Sequence, residues 1–410
     1  MSIMDKLGCD DVWQEFIEYK VSGAHFSEKE EKELRRFVEK RGYLPVLELI
    51  EETLRGGKFT DPRISEISKK GTDKKRKVFV FPRAEGYVFK LMSYLLHKYD
   101  GLFEKNLFSF RHGLGVKDAV NSLLSVRGIS KKYTYKVDIH DYFNSVDTER
   151  IISILESKLP EDETLVRFLS AVLRQRGAKF EGRAVEADRG IMAGVAVSGF
   201  LANLYLSEMD AYFSSRGIPY SRYSDDVIVF ADTAEQIAEY ERVIKAYLSE
   251  YQLEVNEKKE FRTRPGERWE YLGFSFLGTQ IDISPVSFEK IKAKMRRKAR
   301  SLLRWKNRKG EPEERAMRSF IKHFNSKLYD NPTEGELTWA LWYFPMINTP
   351  KTLHLIDEYA QDCIRYIATG RHSKSNYRIT YEKIKSLGYR NLVNSYYRFK
   401  KTGQICPENV

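Results

Sequence analysis

The spacing of apolar residues predicts long helices around a mixed centre. Helical spacing recurs in residues 10–56, 86–104, 148–175, 195–212 and 235–251, and again from residue 286 onward. Short apolar runs predict strands at 78–81, 133–139, 220–223 and 227–231, and residues 268–284 have the pattern of a hairpin. Residues 58–77 are polar and basic, and we assign no element before the strand at 78. The changes of pattern place domain boundaries near residues 70 and 285.

The positive charge of the chain is concentrated in one predicted helix. The 410 residues carry a net charge of +12, and residues 290–309 hold 11 Lys and Arg residues and no acid. The rest of the chain is therefore almost balanced. Such a local basic surface is typical of proteins that contact the phosphates of a nucleic acid, although a solvated helix face has the same composition.

Cysteine usage and hydropathy argue against several classes of protein. Cys9, Cys363 and Cys406 lie far apart without CxxC or HxxxH pairs, so we expect neither a disulfide framework nor structural zinc. The N-terminus has acids where a signal peptide has its apolar core. Residues 190–207 are uncharged but are interrupted by Gly, Ser and Asn203, which argues against a membrane span. We expect a soluble, cytoplasmic protein without a membrane partner.

Three aspartates lie at the ends of predicted strands. Asp225 and Asp226 lie between two apolar runs, and Asp138 ends a third. Adjacent acids repel each other, so they indicate either a solvated hairpin turn or a bound divalent cation. If the strands are neighbours in one sheet, the three carboxylates converge, and oxygen ligands of this kind suit Mg²⁺.

Several sequence blocks resemble the motifs of the reverse transcriptase family in order and approximate spacing. They are residues 138–146 (motif A), 190–206 (motif B), 222–226 (the YxDD box, motif C), 253–259 (motif D) and 269–274 (motif E), preceded by a finger–palm block at 108–113. The resemblance covers roughly residues 70–280. It implies an α+β, right-hand polymerase fold with fingers, a palm whose antiparallel sheet carries the acids, and a helical thumb.

The same resemblance implies the domain organisation. We expect an N-terminal helical extension at 1–70, fingers and palm at 71–285, and a basic helical thumb with the C-terminal region at 286–410.

The resemblance assigns the catalytic groups. Asp138, Asp225 and Asp226 are expected to bind two Mg²⁺ ions, for which Mn²⁺ can substitute, with the carbonyl of Ile139 as a further ligand. The primer 3′-hydroxyl would attack the α-phosphate of the incoming nucleotide. Lys259 is the expected proton donor to the leaving pyrophosphate, with Lys258 as the alternative in register.

The nucleotide-binding residues also follow from the resemblance. Arg76 and Lys77 are expected to hold the triphosphate, and Gly194 and Ser198 to border the nucleotide and template. Phe143 takes the position of the steric gate, a ring that leaves no room for a 2′-hydroxyl and so favours dNTPs. RNA-dependent RNA polymerases usually have an acid near this position, so Phe143 also argues against that class.

Template and primer contacts are expected from both the centre and the basic helix. The residues are Arg111, Tyr223, Leu272, Gly273, Lys294, Arg297, Lys298 and Arg304. Phosphate contacts of this kind are sensitive to salt and tolerant of sequence. The aromatic and basic residues of 377–401 suit single-stranded RNA, or alternatively a helix that packs on the thumb.

Two positions depart from the pattern of the family. Ala193 replaces a glutamine that is common in group II intron and retroviral members, and Gly199 replaces a proline that often follows the motif B serine. Loss of the amide removes a hydrogen bond near the templating base, so the strictness of templating is left open.

The two ends of the chain indicate a subgroup. Residues 13–20 and 387–397 resemble the unknown-group, defence-associated reverse transcriptases related to abortive-infection proteins. We therefore predict cDNA synthesis on an associated non-coding RNA, with a DNA primer or cDNA product and dNTPs as further partners, in antiphage defence. The alternatives are a retron or diversity-generating reverse transcriptase, a template-independent or protein-primed DNA polymerase, and an inactive RNA-binding scaffold.

Overall fold

The computed structural model describes residues 2–22, 28–68, 75–187, 190–329, 338–372, 376 and 378–405. These residues form two compact units, one that ends at Glu267 and one that begins at Arg268. Cys406 and Tyr377 lie outside the described residues. Within the described ranges, no helix is both long enough and apolar enough to cross a bilayer.

The first unit begins with helices and contains two sheets. Its helices are α1 (Ile3–Lys6), α2 (Asp10–Ser22), α3 (Glu28–Glu39), α4 (Leu44–Leu54), α5 (Arg83–Leu95), α6 (Val116–Leu124), α7 (Tyr142–Ser145), α8 (Thr148–Lys158), α9 (Glu163–Arg174), α10 (Ser198–Tyr205), α11 (Ser207–Ser215) and α12 (Ala234–Glu250). Its strands are β1 (Arg63–Ser68), β2 (Lys75–Val80), β3 (Tyr133–Asp138), β4 (Gly177–Phe180), β5 (Arg183–Glu186), β6 (Tyr220–Tyr223), β7 (Asp226–Ala231) and β8 (Phe261–Thr263). Short 3₁₀ turns lie at Leu96–Leu102, Ile129–Lys131, Pro160–Asp162 and Glu257–Lys259.

One sheet is the predicted antiparallel sheet that carries the acids. Its strand order is β6-β7-β3-β8, and all three pairs are antiparallel. Strands β3 and β7 pair along their whole length, from Tyr133 opposite Ala231 to Asp138 opposite Asp226. Four successive β7 residues from Val227 are fully buried, which is the pattern of a central strand covered on both faces. The predicted α+β fold is confirmed.

The other sheet includes strand β1, in the segment before residue 78 where we assigned no strand, and β4 and β5 near residue 180. Its order is β2-β1-β4-β5; β1 pairs antiparallel with β2 and meets β4 in parallel. We did not predict strand β1, because its apolar residues Ile64 and Ile67 are three residues apart. Their spacing does not show the period-two alternation of a half-buried strand. Since β2 begins at Lys75, Arg76 and Lys77 lie within a strand and not before one.

The N-terminal helices belong to the core of the first unit. The ring of Trp13 stacks on that of Tyr43 at 5.4 Å, and the ring of Phe16 lies 5.6 Å from that of Tyr94. Both Trp13 and Phe16 are fully buried in the same hydrophobic cluster as Val137 of β3. Residues before 70 are therefore an integral part of this unit.

The second unit combines a small sheet with helices. The sheet has the order β11-β10-β9, formed by β9 (Trp269–Tyr271), β10 (Phe274–Leu277) and β11 (Gln280–Ile283). The helices are α13 (Pro285–Lys309), α14 (Glu313–Tyr329), α15 (Trp339–Tyr343), α16 (Lys351–Thr369), α17 (Tyr381–Ser386) and α18 (Leu392–Thr402). The sheet joins this unit because Thr352 of α16 donates to Asp282 (2.9 Å) and Ile281 N–H donates to the Asn348 side chain (2.8 Å). The observed boundary consequently lies before the hairpin and not near residue 285.

The basic helix α13 is defined at both ends by its sequence. The Ser284 hydroxyl accepts a hydrogen bond from Ser287 N–H, Pro285 is the first helical residue, and Gly310 ends the helix in the left-handed conformation (φ 64°). Four apolar residues form a buried stripe along the helix, namely Ile291, Met295, Ala299 and Leu302.

Candidate active site

The three predicted acids meet where two strands of the central sheet lie side by side. Asp138, the last residue of β3, is the direct partner of Asp226, the first residue of β7. The N–H of Ile139 donates to the carbonyl of Asp225 at 3.0 Å, which places the third acid beside the end of β3. Antiparallel pairing thus brings together carboxylates that are far apart in sequence.

A strained turn presents the two adjacent acids. Ser224 links β6 to β7 in the left-handed conformation (φ 61°), which is uncommon for a residue with a side chain. Its N–H donates to the hydroxyl of Ser109 at 2.8 Å, and that hydroxyl donates to the side-chain oxygen of Asn203 at 3.0 Å. These bonds hold the turn in place from two other segments of the first unit.

The surroundings of the acids disfavour their negative charge unless a positive charge lies nearby. Burial raises the pKa of Asp225 to about 6, and the neighbouring charge of Asp138 contributes to that rise. Burial also raises the pKa of Asp226, and the ammonium of Lys136, 3.0 Å from the Asp226 carboxylate, opposes that rise. The free carboxylates therefore carry a desolvation cost that a bound cation would offset.

Asp138 is held by groups of the 3₁₀ turn at 257–259 and its flank. The Lys259 ammonium donates to one Asp138 oxygen at 2.6 Å, and the Asn256 amide donates to the other at 3.0 Å. Asn256 N–H also donates to the backbone carbonyl of Asp138 at 2.8 Å. Lys258 and Lys259 were the alternatives for the proton donor, and Lys259 is the one whose ammonium bonds Asp138.

The donor set suits a divalent cation, although it is not gathered around one point. Among the described residues, no three acidic, imidazole or thiolate side chains form a ready cluster. Asp138 bonds Lys259 and Asn256, while Asp226 pairs with Lys136. Two adjacent half-buried carboxylates whose pKa values are raised are nevertheless hard oxygen donors that a magnesium ion would stabilise.

The predicted gate residue lies against the motif B loop. Ile191 N–H donates to the carbonyl of Phe143 at 2.8 Å. Gly190 has φ 127°, and a Cβ there would lie 2.4 Å from the same carbonyl, so the close approach requires glycine. The ring of Phe143 itself is half-buried, in contact with its neighbour Tyr142.

The other side of this loop contacts the strand that carries the predicted triphosphate-binding residues. Phe79 N–H of β2 donates to the carbonyl of Ala193 at 2.8 Å. Gly194 (φ 99°) packs so closely on β2 that a Cβ would lie 3.1 Å from that of Val78. The structure therefore brings Gly194 to the strand on which Arg76 and Lys77 lie.

Two predicted contact residues have their polar groups engaged within the protein. The Ser198 side chain is buried, with its hydroxyl within hydrogen-bonding distance of the carbonyls of Ile191 and Met192, so it shapes the motif B loop. The Arg111 guanidinium donates to the carbonyls of Asp100, Glu104 and Leu107 at 2.8–3.0 Å. Both side chains stabilise loops, and their contacts with a nucleotide and a template stay predictions.

A buried ion pair near the acids, between Arg222 and Asp210, could not be predicted from the motifs. The Arg222 side chain of β6 is fully buried; its Nε donates to Asp210 of α11 at 2.8 Å and its Nη2 to the carbonyl of Asn203 of α10 at 2.9 Å. Arg222 thereby joins motif C to the motif B helix. The available signal was a charged residue inside an apolar run, because a buried charge requires a partner.

Lys136 was also missed. It lies two residues before Asp138 on β3, so both side chains point to the same face of the strand. Its ammonium lies 3.0 Å from Asp226.

Tyr223, a predicted template contact, is half-buried directly opposite Asp226.

The remaining predicted template and primer contacts lie in the second unit. Leu272 (φ 49°) and Gly273 (φ 90°) form the turn between β9 and β10, and a Cβ at Gly273 would lie 3.2 Å from the hydroxyls of Ser287 and Tyr343. On α13, Arg297 and Arg304 are exposed, and Lys294 and Lys298 on the same helix are half-buried. The helix thus presents a basic face beside its apolar stripe.

Comparison with known proteins gives matches over the region of these motifs. Residues 67–276, about half of the chain, match the family described as "Reverse transcriptase (RNA-dependent DNA polymerase)". The chain is 22% identical over 241 residues to the Retron Ec86 reverse transcriptase of Escherichia coli, covering 57% of this chain and 68% of that protein.

Solved structures of telomerases are also similar in part. Apo telomerase from Candida tropicalis truncated from its C-terminal domain is 15% identical, with a TM-score of 0.43 and a coverage of 55% of each chain. The apo telomerase of the same organism is 13% identical, with a TM-score of 0.43 over 81% of this chain and 69% of that one.

Proposed function

This chain belongs to the reverse transcriptase family and is an RNA-directed DNA polymerase, and we propose that it copies an associated non-coding RNA into cDNA by two-metal nucleotidyl transfer. The observation that carries the proposed chemistry is the pairing of Asp138 with Asp226 beside the half-buried Asp225.

The three acids have different roles in this proposal. Asp138, Asp225 and the backbone of Ile139 would hold Mg²⁺, which when bound supplies the Lewis acidity that activates the primer hydroxyl and stabilises the pyrophosphate. Asp226 supports them, since it already faces the ammonium of Lys136.

Lys259 supplies a proton in this proposal. The Lys259 side chain is 60% exposed while its ammonium donates to Asp138, so the same group can turn toward a leaving pyrophosphate oxygen. A proton given there would neutralise the charge that develops on the leaving group.

The nucleotide would lie beside the motif B loop and β2, which are joined by the hydrogen bond from Phe79 N–H to the Ala193 carbonyl. Arg76 and Lys77 of β2 would contact its phosphates, and Gly194 allows the loop to approach β2 closely. The ring of Phe143 would exclude the 2′-hydroxyl of a ribonucleotide.

The proposed template is an RNA that associates with the protein, and the proposed biological role is antiphage defence. The basic face of α13, with Arg297 and Arg304 exposed, supports phosphate contacts that do not depend on sequence. A retron reverse transcriptase is the second candidate, because the curated relative at 22% identity is described as one. Sequencing the RNA and DNA that purify with the protein would identify the template and the product made from it.

Primer extension tests the polymerase mechanism. Wild-type protein purified with its RNA is expected to incorporate labelled dNTPs with Mg²⁺, and Asp225→Ala is expected to reduce incorporation to background while leaving bound RNA unchanged. Asp232→Asn is the matched control, because this acid follows the far end of β7 and is exposed. If wild-type protein makes no DNA while Asp225→Ala retains full biological activity, the chain is a scaffold and the proposal fails.

A further inference from the structure

Phe110 combines exposure with a strained backbone. Its side chain is 49% exposed, and its φ of 53° lies in the left-handed region, where a bulky residue is an outlier. Strain of this kind persists only where the surrounding structure fixes the residue, and it concentrates at functional sites. Asp141, Met192 and Ser224, which also have positive φ, lie in or next to motifs A, B and C.

The residues on both sides of Phe110 are fixed by hydrogen bonds. Phe108 N–H donates to the carbonyl of Arg222 at 3.2 Å, and the Ser109 carbonyl accepts from the Asn203 amide at 2.6 Å. On the other side, the three carbonyl contacts of Arg111 hold the chain. Because both neighbours are fixed, the backbone of Phe110 is held in its strained conformation and its ring in a defined place.

The ring of Phe110 lies between two motifs of the site. It meets the ring of Phe143 edge to face, with 6.2 Å between centroids and an interplanar angle of 83°. It also covers Gly199, where an added Cβ would lie 2.6 Å from the Phe110 ring. The absence of a side chain at 199 is therefore what makes room for this ring.

We propose that Phe110 is a positioning residue for sugar selection, which acts by holding the ring of Phe143 against an incoming nucleotide. This inference rests on the proposed polymerase site. A gate excludes a hydroxyl only if its ring cannot move aside, and Phe143 is only half-buried. The edge-to-face contact with the Phe110 ring restricts that movement, and the fixed backbone on both sides makes the restraint stiff.

The test compares the efficiency of dNTP and NTP incorporation in primer extension. Phe110→Ala is expected to lower the ratio of kcat/KM for dNTP to that for NTP by roughly tenfold, mainly through a better KM for NTP, with dNTP incorporation kept. Phe143→Ala is expected to lower the ratio further. If Phe110 acts through Phe143, the double variant has the ratio of Phe143→Ala alone.

Two more variants keep the test decisive. Gly199→Ala should displace the ring and lower the ratio as Phe110→Ala does, and Phe110→Leu replaces Phe110→Ala if the latter does not fold. Leu114→Ala removes an exposed apolar side chain of the same loop and should leave the ratio unchanged.

The outcomes separate this inference from the proposed function. An unchanged ratio in Phe110→Ala and Gly199→Ala, while Phe143→Ala relaxes it, overturns the inference. So does an additive effect in the double variant, because Phe110 would then act without Phe143. Failure of the wild-type protein to make DNA would instead overturn the proposed function, before any variant is measured.

Discussion

At the scale of single residues, the site is built on charges that need partners. The guanidinium of Arg222 has no access to solvent, and its partners are Asp210 and carbonyls of the helix that follows the motif B loop. A buried ion pair contributes little net stability compared with apolar residues, but removal of one partner leaves the other charge unpaired. The value of this pair is therefore in fixing the strand that leads to the acids.

We predict that Arg222→Met lowers the free energy of unfolding by about 3–5 kcal/mol, because Asp210 is left as a buried, unpaired charge. Urea denaturation followed by circular dichroism measures this. Arg55→Met is the control, since its ion pair with Glu51 is exposed and contributes at most about 1 kcal/mol. A loss below about 1 kcal/mol in Arg222→Met would show that Asp210 is solvated or neutral.

At the scale of elements, α13 has one face that packs against the protein and another that is basic and exposed. Its apolar stripe is buried, whereas Arg297 and Arg304 are exposed. Lys306 is different, since its ammonium donates to the carbonyls of Ile367 and Ala368 near the end of α16, at 2.8 and 2.7 Å. Only part of the helix charge is thus available to phosphates.

We predict that Arg297→Ala and Arg304→Ala each reduce the slope of log affinity against log salt for a template–primer duplex by about one. Binding should weaken by a similar factor for unrelated sequences, because phosphates and not bases are contacted. Lys292→Ala is the control on the same helix, since its ammonium pairs with Glu289. Fluorescence anisotropy over a range of salt concentrations gives the slope, and an unchanged slope in both arginine variants would exclude this face as a phosphate contact.

The elements that the sequence predicts are those with a strong local signal. Strands β3, β6 and β7 follow from their apolar runs, and the motif order correctly led us to expect Asp138 beside Asp225 and Asp226. The helix predicted at 195–212 is instead two helices that meet at Leu206 (φ −111°), a break that no Gly or Pro signals. The partners of Arg222, Lys136 and Phe110 depend on tertiary contacts, so no local pattern could supply them.

At the scale of the whole molecule, the described chain forms two compact units whose boundary precedes β9. The first unit contains all three acids, the predicted gate residue Phe143, and the strand with Arg76 and Lys77. Its hydrophobic core runs from Ile3 and Trp13 of the first helices to Val137 and Val227 of the central sheet. A disturbance at the N-terminus is therefore expected to reach the sheet that carries the acids.

We predict that Trp13→Ala destabilises the first unit as a whole by about 3–5 kcal/mol, the usual cost of deleting a fully buried aromatic side chain. Polymerase activity should then be lost at the same temperature as the secondary structure of this unit. Val21→Ala, an exposed position on the same helix, should have little effect. If Trp13→Ala loosens α2 while activity survives to the wild-type temperature, the N-terminal helices fold independently.

The buried start of the chain has a practical consequence for anyone who shortens this enzyme. The segment that matches the family begins at residue 67, yet Ile3 is fully buried and its N–H donates to Asp162 at 2.9 Å. A shortened protein that keeps only the matched segment would lose Trp13, Phe16 and Tyr43 and expose the apolar surface that they cover, so it would aggregate on expression.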